Sequence, residues 1–387
     1  MRLLFIIVNA LFVAKYSARL FPNLYIYISL AYIFVMIFLL WKVMPWLMDD
    51  SNKNKYALVS GITAIVLMLF VQYSINPLEL QVDRWSALHY PIKNLLQGIY
   101  PYSAQTHLGG YGSPFPAWQL FHIPFYLLGN VGLSFFFCLA TFLYLVYKMY
   151  GINKMTYTMV LLIISPAIWY EVAVRSDYIG NMLLCASFVI YIIKGISQES
   201  IERNRLPISV IIALFVCTRL ITLLPVFILL FPYWLKMSVR KKTEMLFLIS
   251  ISCIFIFLPF ALMDWHSFFY FEYNPWKLQT RQGHPLLLFI YIPIIIYFAM
   301  QWKGNVQQYL RNISLALMIF IVTTFIYRSI DHDNYDLFSS LFDITYFNAI
   351  VPFVVLYISM REKGIIMNCD YKQKDYYEKN DRGSRND

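Results

Sequence analysis

Long apolar runs separated by short polar stretches recur along the whole 387-residue chain. A helix needs about 17 to 25 mostly apolar residues to cross the hydrocarbon core of a bilayer. About twelve segments approach that pattern: 3–19, 24–43, 56–75, 131–150, 156–174, 178–194, 207–218, 220–236, 245–263, 285–301, 313–327 and 345–360. The pattern predicts an all-α, polytopic helical membrane protein with about 12 transmembrane helices. Open sheets are excluded in lipid because their edge groups would lack partners. The period-two alternation of barrel strands is missing from these unbroken runs.

Two stretches depart from the simple pattern. Residues 114–128 are interrupted by prolines and too short to span, which predicts an interfacial or re-entrant helix. Residues 207–236 are too few for two full spans, and Arg219 and Pro225 interrupt them. Two short helices meeting at Arg219 are expected, because broken helices are tolerated where they line a polar cavity.

Composition sharpens this picture. The chain is 60% hydrophobic and 13% charged, with mean hydropathy +0.58. A soluble domain carries about twice that charge. Cys138, Cys185, Cys217 and Cys253 lie within apolar runs, and Cys369 lies in the tail. None has metal-ligand spacing, and no disulfide framework is suggested. Arg2 and the apolar stretch 3–14 resemble the start of a signal peptide, but no small-x-small cleavage site follows, so a retained first helix is expected. Residues 1–361 read as one transmembrane domain. Residues 362–387 read as a disordered cytoplasmic tail, with its lysines near an anionic inner leaflet. No repeat, glycine-rich phosphate loop or low-complexity tract is present.

Charge then sets the sides. The net charge of +10 is scattered over inter-helix loops, which argues against nucleic-acid binding and for a topology signal. With the N-terminus inside, Lys53, Lys55, Lys148, Lys154, Arg203, Arg205, Arg240, Lys241, Lys242 and the basic tail are cytoplasmic. Both termini are then inside. Reading 114–128 as a full span would turn the cluster "KMSVRKK" at 236–242 outward. The expected extracytoplasmic loops are 76–130, 171–177, 264–284 and 328–343, at the outer face of the plasma membrane. All six histidines fall in them, with Asp83, Arg84, Arg175, Asp177, Asp264, Arg281, Arg328, Asp331 and Asp333. Chemistry is expected where titratable variety gathers.

Each residue has two readings. Asp83, just beyond the third apolar run, is either a helix N-cap or a general base. Pro91 and Gly98 mark the start and stop of an interfacial helix with Ile92, Leu95 and Leu96 toward lipid. Arg175 and Arg328 either snorkel to lipid head groups or bind a ligand. Arg219, at the junction of two apolar helices, is costly unless paired or in a wet cavity, and it carries the clearest functional reading among the arginines.

The loop "QVDRWSALHYPIKNLLQGIYPYSAQ", with "GGYGSPFPAWQLFHIPFYLLG" after it, resembles the GT-C membrane glycosyltransferases. It is most similar to the family 87 polyprenol-phosphate-mannose-dependent mannosyltransferases. An Asp opening the first large outer loop, a G-x-x-x-Y element ("GIYPY", 98–102) and an aromatic-proline helix ("GSPFPAW", 112–118) carry the likeness. The segment "TRLITLLPVFILLFPYWLKMSVRKK" fits the later basic-apolar-proline helix. The resemblance covers roughly 56–259. It departs at "SPFP", at Arg219 where relatives often have Lys, and in two additional N-terminal helices. It implies a GT-C-like fold, a polyprenyl-phosphate sugar donor (mannose first), a cell-envelope glycan or glycolipid acceptor, an inverting reaction, and usually no metal or other cofactor.

The expected mechanism follows. Asp83 takes the proton of the acceptor hydroxyl. Arg219, Arg175 and Arg328, with Arg281 and His284 as alternates, hold the donor phosphate. Arg84 and His89 face the sugar or acceptor, and Tyr100, Tyr102 and Trp118 offer aromatic faces to a sugar or form an interfacial belt. A surface-glycan polymerase or ligase, or a lipid-linked saccharide transporter, is the alternative. A transporter predicts inverted repeats, and a polymerase predicts its large outer loop late in the chain.

Overall fold

The computed structural model describes residues 1–361 except 49, 50, 282, 340 and 342; the expectation for the tail 362–387 lies outside the described residues. No strand forms among the described residues, and the one extended pairing is a bridge between Gln105 and Tyr111. Helices satisfy their own backbone groups, which an apolar chain in hydrocarbon requires. Among the described residues, eight segments are long and apolar enough to cross a membrane: Arg2–Leu20, Tyr25–Leu47, Asn52–Ser74, Leu133–Tyr150, Val239–Met263, Trp265–Gln301, Val306–Asp331 and Ile344–Arg361. The pair Ile152–Ile163 and Pro166–Ala173, bent by 70°, makes a ninth if it is one span. Tyr178–Ile193, Arg205–Val216 and Leu220–Lys236 are shorter apolar helices. The apolar segments predicted from the sequence thus fall on apolar helices, 156–174 on a bent pair. Large side chains such as Phe255 (76% exposed) and Phe289 (78%) point outward, as a lipid-facing surface requires. The chain is built as an integral membrane protein.

Tyr178–Ile193 sits at the centre, packed against Leu133–Tyr150, Leu223–Lys236 and Val351–Arg361. Arg205–Val216 lies along Val239–Met263, and Leu223–Lys236 along Leu288–Gln301. Arg2–Leu20 pairs with Tyr25–Phe38 and reaches the bundle through Pro166–Ala173 and Val351–Arg361.

The helix breaks have local causes. The predicted single span 156–174 is in fact two helices, because Pro166 cannot donate and holds Ser165 extended. Asn9 of the first helix fills that break: its Oδ1 accepts from Ser165 Oγ at 2.5 Å and from Ala167 N at 3.3 Å. The break at Arg219 has the same logic. Arg219 is extended (φ −156°) between Arg205–Val216 and a 3-10 turn, Leu220–Thr222. The carbonyls it frees at Cys217 and Thr218 accept from Ala117 N (3.1 Å) and Phe115 N (3.0 Å). A segment from the first long loop therefore dips in to complete a broken helix.

That loop also corrects an expectation. The helix predicted from Pro91 runs instead over Ser86–Leu96, with Pro91 inside it. Ala87 O, the carbonyl that Pro91 cannot reach, is approached by the backbone of Gly112, where a Cβ would lie 2.2 Å away. Ile92 is buried in the core rather than turned to lipid, while Leu96 stays 47% exposed. Gly98 ends the helix with φ +73°, as read from the sequence. Pro116–Leu127 has 12 residues, about 18 Å of helix, and is too short to span.

Candidate functional site

Four loops meet at one end of the bundle: 76–130, 171–177, 264–284 and 328–343. Their meeting begins at Asp83. Its carbonyl accepts from Ala87 N at 2.8 Å and so starts the turn into Ser86–Leu96. Its carboxylate does not cap that helix, whose first turn has no side-chain cap. Instead Oδ2 accepts from Thr106 Oγ1 at 3.0 Å. Thr106 closes a tight turn with Gly110 (Thr106 N to Gly110 O, 2.8 Å; Gly110 N to Thr106 Oγ1, 3.0 Å). The fit is close: a Cβ on Gly110 would lie 2.9 Å from Asp83 Oδ2. His107 braces the same turn, its Nδ1 2.6 Å from Ser86 Oγ and its Nε2 3.1 Å from Leu80 O.

The segment Thr106–Phe115, a strap across this end of the bundle, continues from this turn to Arg219. Ser113 Oγ lies 3.5 Å from Arg219 Nη1, and Ser113 O accepts from Gln279 Nε2 at 2.6 Å. Gln279 Oε1 in turn accepts from Leu220 N at 3.4 Å. Only Tyr111 and Gly112 separate Gly110 from Ser113, a reach of at most about 11 Å. The carboxylate and the guanidinium are therefore held by one short piece of chain.

Arg219 is not an isolated cation. Its Nη2 (2.6 Å) and Nε (3.2 Å) donate to Asp177 Oδ2, and Trp118 Nε1 donates to the same oxygen at 2.5 Å. Tyr178 lies beneath the guanidinium, 5.5 Å from ring centre to Cζ. Both charges are nearly covered, at 12% and 7% exposure. Burial pushes Asp177 up, but Arg219, His122 and the indole outweigh it and hold the carboxyl below its ordinary range. Nη1 is the edge of the guanidinium that Asp177 does not use. Sequence reasoning placed Asp177 on this face without a role. Its partner is 42 residues away, and no local spacing signals such a pair.

The other arginines separate. Arg175, at φ +53°, donates through Nη2 to Gln72 O (2.8 Å) and Ile75 O (3.1 Å), and so caps the end of Ser51–Ser74. Those contacts give it a structural place apart from Arg219. Arg84 pairs with Asp343, reaches Thr345 Oγ1 at 3.4 Å, and ties the first loop to the last. Arg328 and Arg281 are electrostatic neighbours of each other, and Arg328 is also near Tyr346 and Asp331. His284 caps its own turn through Leu286 N (3.1 Å). His89 stacks on Trp85 (4.2 Å), and burial, then Lys93, lowers it to about 4, so its ring is neutral at pH 7.

The aromatic faces expected for a sugar need correction. Tyr102 is 0% exposed, its hydroxyl donating to Pro114 O at 3.0 Å, with Phe260 and Phe268 against its ring. Trp118 is 2% exposed and stacked on Phe121. Tyr100 is 7% exposed and packs in the same cluster. These rings build the strap's support and leave no open face. Glu171, also without a predicted role, is wholly buried and binds Ile179 N (3.1 Å) and Asn348 Nδ2 (2.8 Å).

Two cavities flank this centre. One, about 460 Å3, is lined entirely by apolar side chains, among them Phe115, Val216, Phe257, Trp265, Phe269 and Trp276. Phe115 is two residues from Ser113, so this groove begins beside Arg219. The other, about 340 Å3, is lined by Glu272, Tyr273, Lys277, Leu278, Thr280 and Arg281. No group of three or more potential metal ligands occurs among the described residues. Comparison with family models, curated proteins and solved structures finds no significant match to this chain.

Proposed function

We propose that the chain is a GT-C-type membrane glycosyltransferase with about twelve spans. It moves a hexose, mannose first, from a polyprenyl-phosphate donor to a glycan or glycolipid acceptor on the extracytoplasmic face. One observation carries the reading. Within ten residues, the strap touches a carboxylate at Thr106 and Gly110, a guanidinium at Ser113 and an all-apolar groove at Phe115. A lipid-linked sugar presents the complementary set: a reacting centre, a phosphate and a hydrocarbon tail. The donor's tail lies in the groove. Its phosphate meets the Nη1 edge of Arg219, which Asp177 leaves unused and Ser113 Oγ approaches at 3.5 Å, with Arg328 as a further cation.

Transfer is a single inverting displacement. The acceptor oxygen attacks the anomeric carbon as Asp83 takes its proton, and the bond to the phosphate oxygen breaks. The transition state is oxocarbenium-like, as in other glycosyl transfers. The leaving group departs as polyprenyl phosphate and needs no protonation. Asp177 holds Arg219 in place beforehand, so the cation need not reorganise during the step.

The test uses the purified chain in nanodiscs with polyprenyl-phosphate mannose and polyprenyl-phosphate glucose. Release of polyprenyl phosphate that depends on an added glycan acceptor supports the reading. Arg219→Lys, which keeps a point charge but loses the fork, should raise the donor KM by about tenfold or more. Movement of intact donor across the bilayer without bond cleavage would favour the lipid-linked saccharide transporter instead, a reading to which the two broken helices also lend themselves.

A further inference from the structure

The charge pattern around the smaller cavity differs from that of the rest of this end. Arg84 is paired with Asp343, Arg219 with Asp177, and Arg175 is bound to helix carbonyls. Lys277 and Arg281 are in none of the ion pairs found among the described residues. Arg328, which also has Asp331 near it, is a like-charged neighbour of Arg281. An anion arriving here relieves that repulsion as well as pairing with both cations. Glu272 is the one carboxylate in the wall, so the lining carries two positive charges against one negative.

The rest of the wall suits a sugar. Tyr273 is held by Tyr111, the rings 4.9 Å apart and 13° from parallel, with Phe271 edge-on to Tyr111 at 5.3 Å. Gln105 Nε2 fixes the Tyr111 hydroxyl at 2.8 Å. A braced aromatic wall, a carboxylate to accept from hydroxyls and cations for an acidic substituent form a mixed set that a bare anion does not need. The volume of about 340 Å3 falls in the range of small-ligand sites, about 300 to 1,000 Å3.

The strap also links this cavity to Asp83. Tyr111 follows Gly110, so its Cα is about 4 Å further along the chain from the residue that abuts Asp83 Oδ2. We propose that the cavity of Glu272, Tyr273, Lys277, Thr280 and Arg281 binds a saccharide bearing an anionic group, the acceptor of the transfer. The identification as acceptor rests on the glycosyltransferase reading; the binding site does not.

Equilibrium binding to the full chain in zwitterionic nanodiscs, without donor, tests it. The probes are trigalacturonic acid, its neutral methyl ester, mannose 6-phosphate and inorganic phosphate. One or both acidic saccharides should bind at least about tenfold more tightly than the methyl ester and than phosphate alone. The exposed pair K277Q/R281Q should erase that advantage, and Tyr273→Ala should weaken acidic and neutral saccharides together. Equal binding of ester and acid, binding of phosphate as tight as any saccharide, indifference to K277Q/R281Q, or no binding by either acidic saccharide would overturn the proposal. A chain that binds acidic saccharides but transfers no sugar would keep the site and refute the enzyme.

Discussion

The two ends of the helical bundle use the same residue types in opposite ways. At one end, Arg205 pairs with Glu244 (2.9 Å) and Lys241 with Glu202 (2.5 Å), all four partly open to their surroundings. Lys154 Nζ and Gln307 Nε2 donate to backbone carbonyls of Ser359 and Met360. At the other end, Asp177 collects Arg219 and Trp118 with almost no exposure, and Glu171 is sealed between three segments. The first arrangement fixes surface loops. The second holds charge where a charge is expensive, and such charge is tolerated when it is paired. The same loops that bury charge also hold the strap, so the costly end is the one that carries the candidate site.

Substitutions should separate the ends by size of effect. Asp177→Ala leaves Arg219 and the Trp118 indole without their shared acceptor. Breaking a buried pair in this way costs about 3–5 kcal/mol. The thermal unfolding midpoint in detergent should fall steeply, and an unchanged midpoint would show that Arg219 does not depend on this pair.

His122 gives a smaller, pH-dependent effect. Its Nδ1 donates to Trp118 O at 2.7 Å, and burial, with Arg219 adding, lowers it from 6.5 to about 4. The native state favours the neutral ring. Its contribution is full above about 6.5, the unfolded value, and is lost as pH falls toward 4. Between pH 7 and 5 the loss is about 2 kcal/mol. His122→Gln should flatten that dependence. Stability that rises on acidification through this window, and does so because of His122, would contradict the assignment.

Glu244→Ala, at the opposite end, should change stability by only about 0–1 kcal/mol, since exposed pairs contribute little. Measured beside Asp177→Ala, it calibrates the contrast between the ends.

Much of this was legible in the sequence, for physical reasons. Apolar length marks helices, and the predicted segments fall on apolar helices, 156–174 on a bent pair rather than one span. Arg219 stood out because a charge between two short apolar helices demands a partner, but the partner itself was not legible. Asp177 lies in another loop, and only the folded chain brings the two together. The break at Ser165 was missed because Pro166 also suits the first position of a helix, so a proline there reads as a start or a stop. Tyr102 and Trp118 near an interface suggested sugar platforms. Their burial depends on Phe260, Phe268 and Phe121, two of them far along the chain. Thr106 was invisible as a partner of Asp83, because an ordinary threonine carries no local sign of what it will touch.

The central claim is that Asp83, whose carboxylate caps no helix, is a base held ready by the strap. Asp83→Asn tests it most directly. Asp83 makes no side-chain cap, and the Asn amide oxygen can still accept from Thr106, so folding should match the parent closely. A general base contributes about 10² to 10⁴ in rate. The measurement is single-turnover transfer from polyprenyl-phosphate mannose in nanodiscs, beside the unfolding midpoint and donor affinity. The account predicts an unchanged midpoint, unchanged donor binding and at least about a hundredfold loss in transfer rate. Transfer at the parent rate in a normally folded Asp83→Asn chain would contradict it.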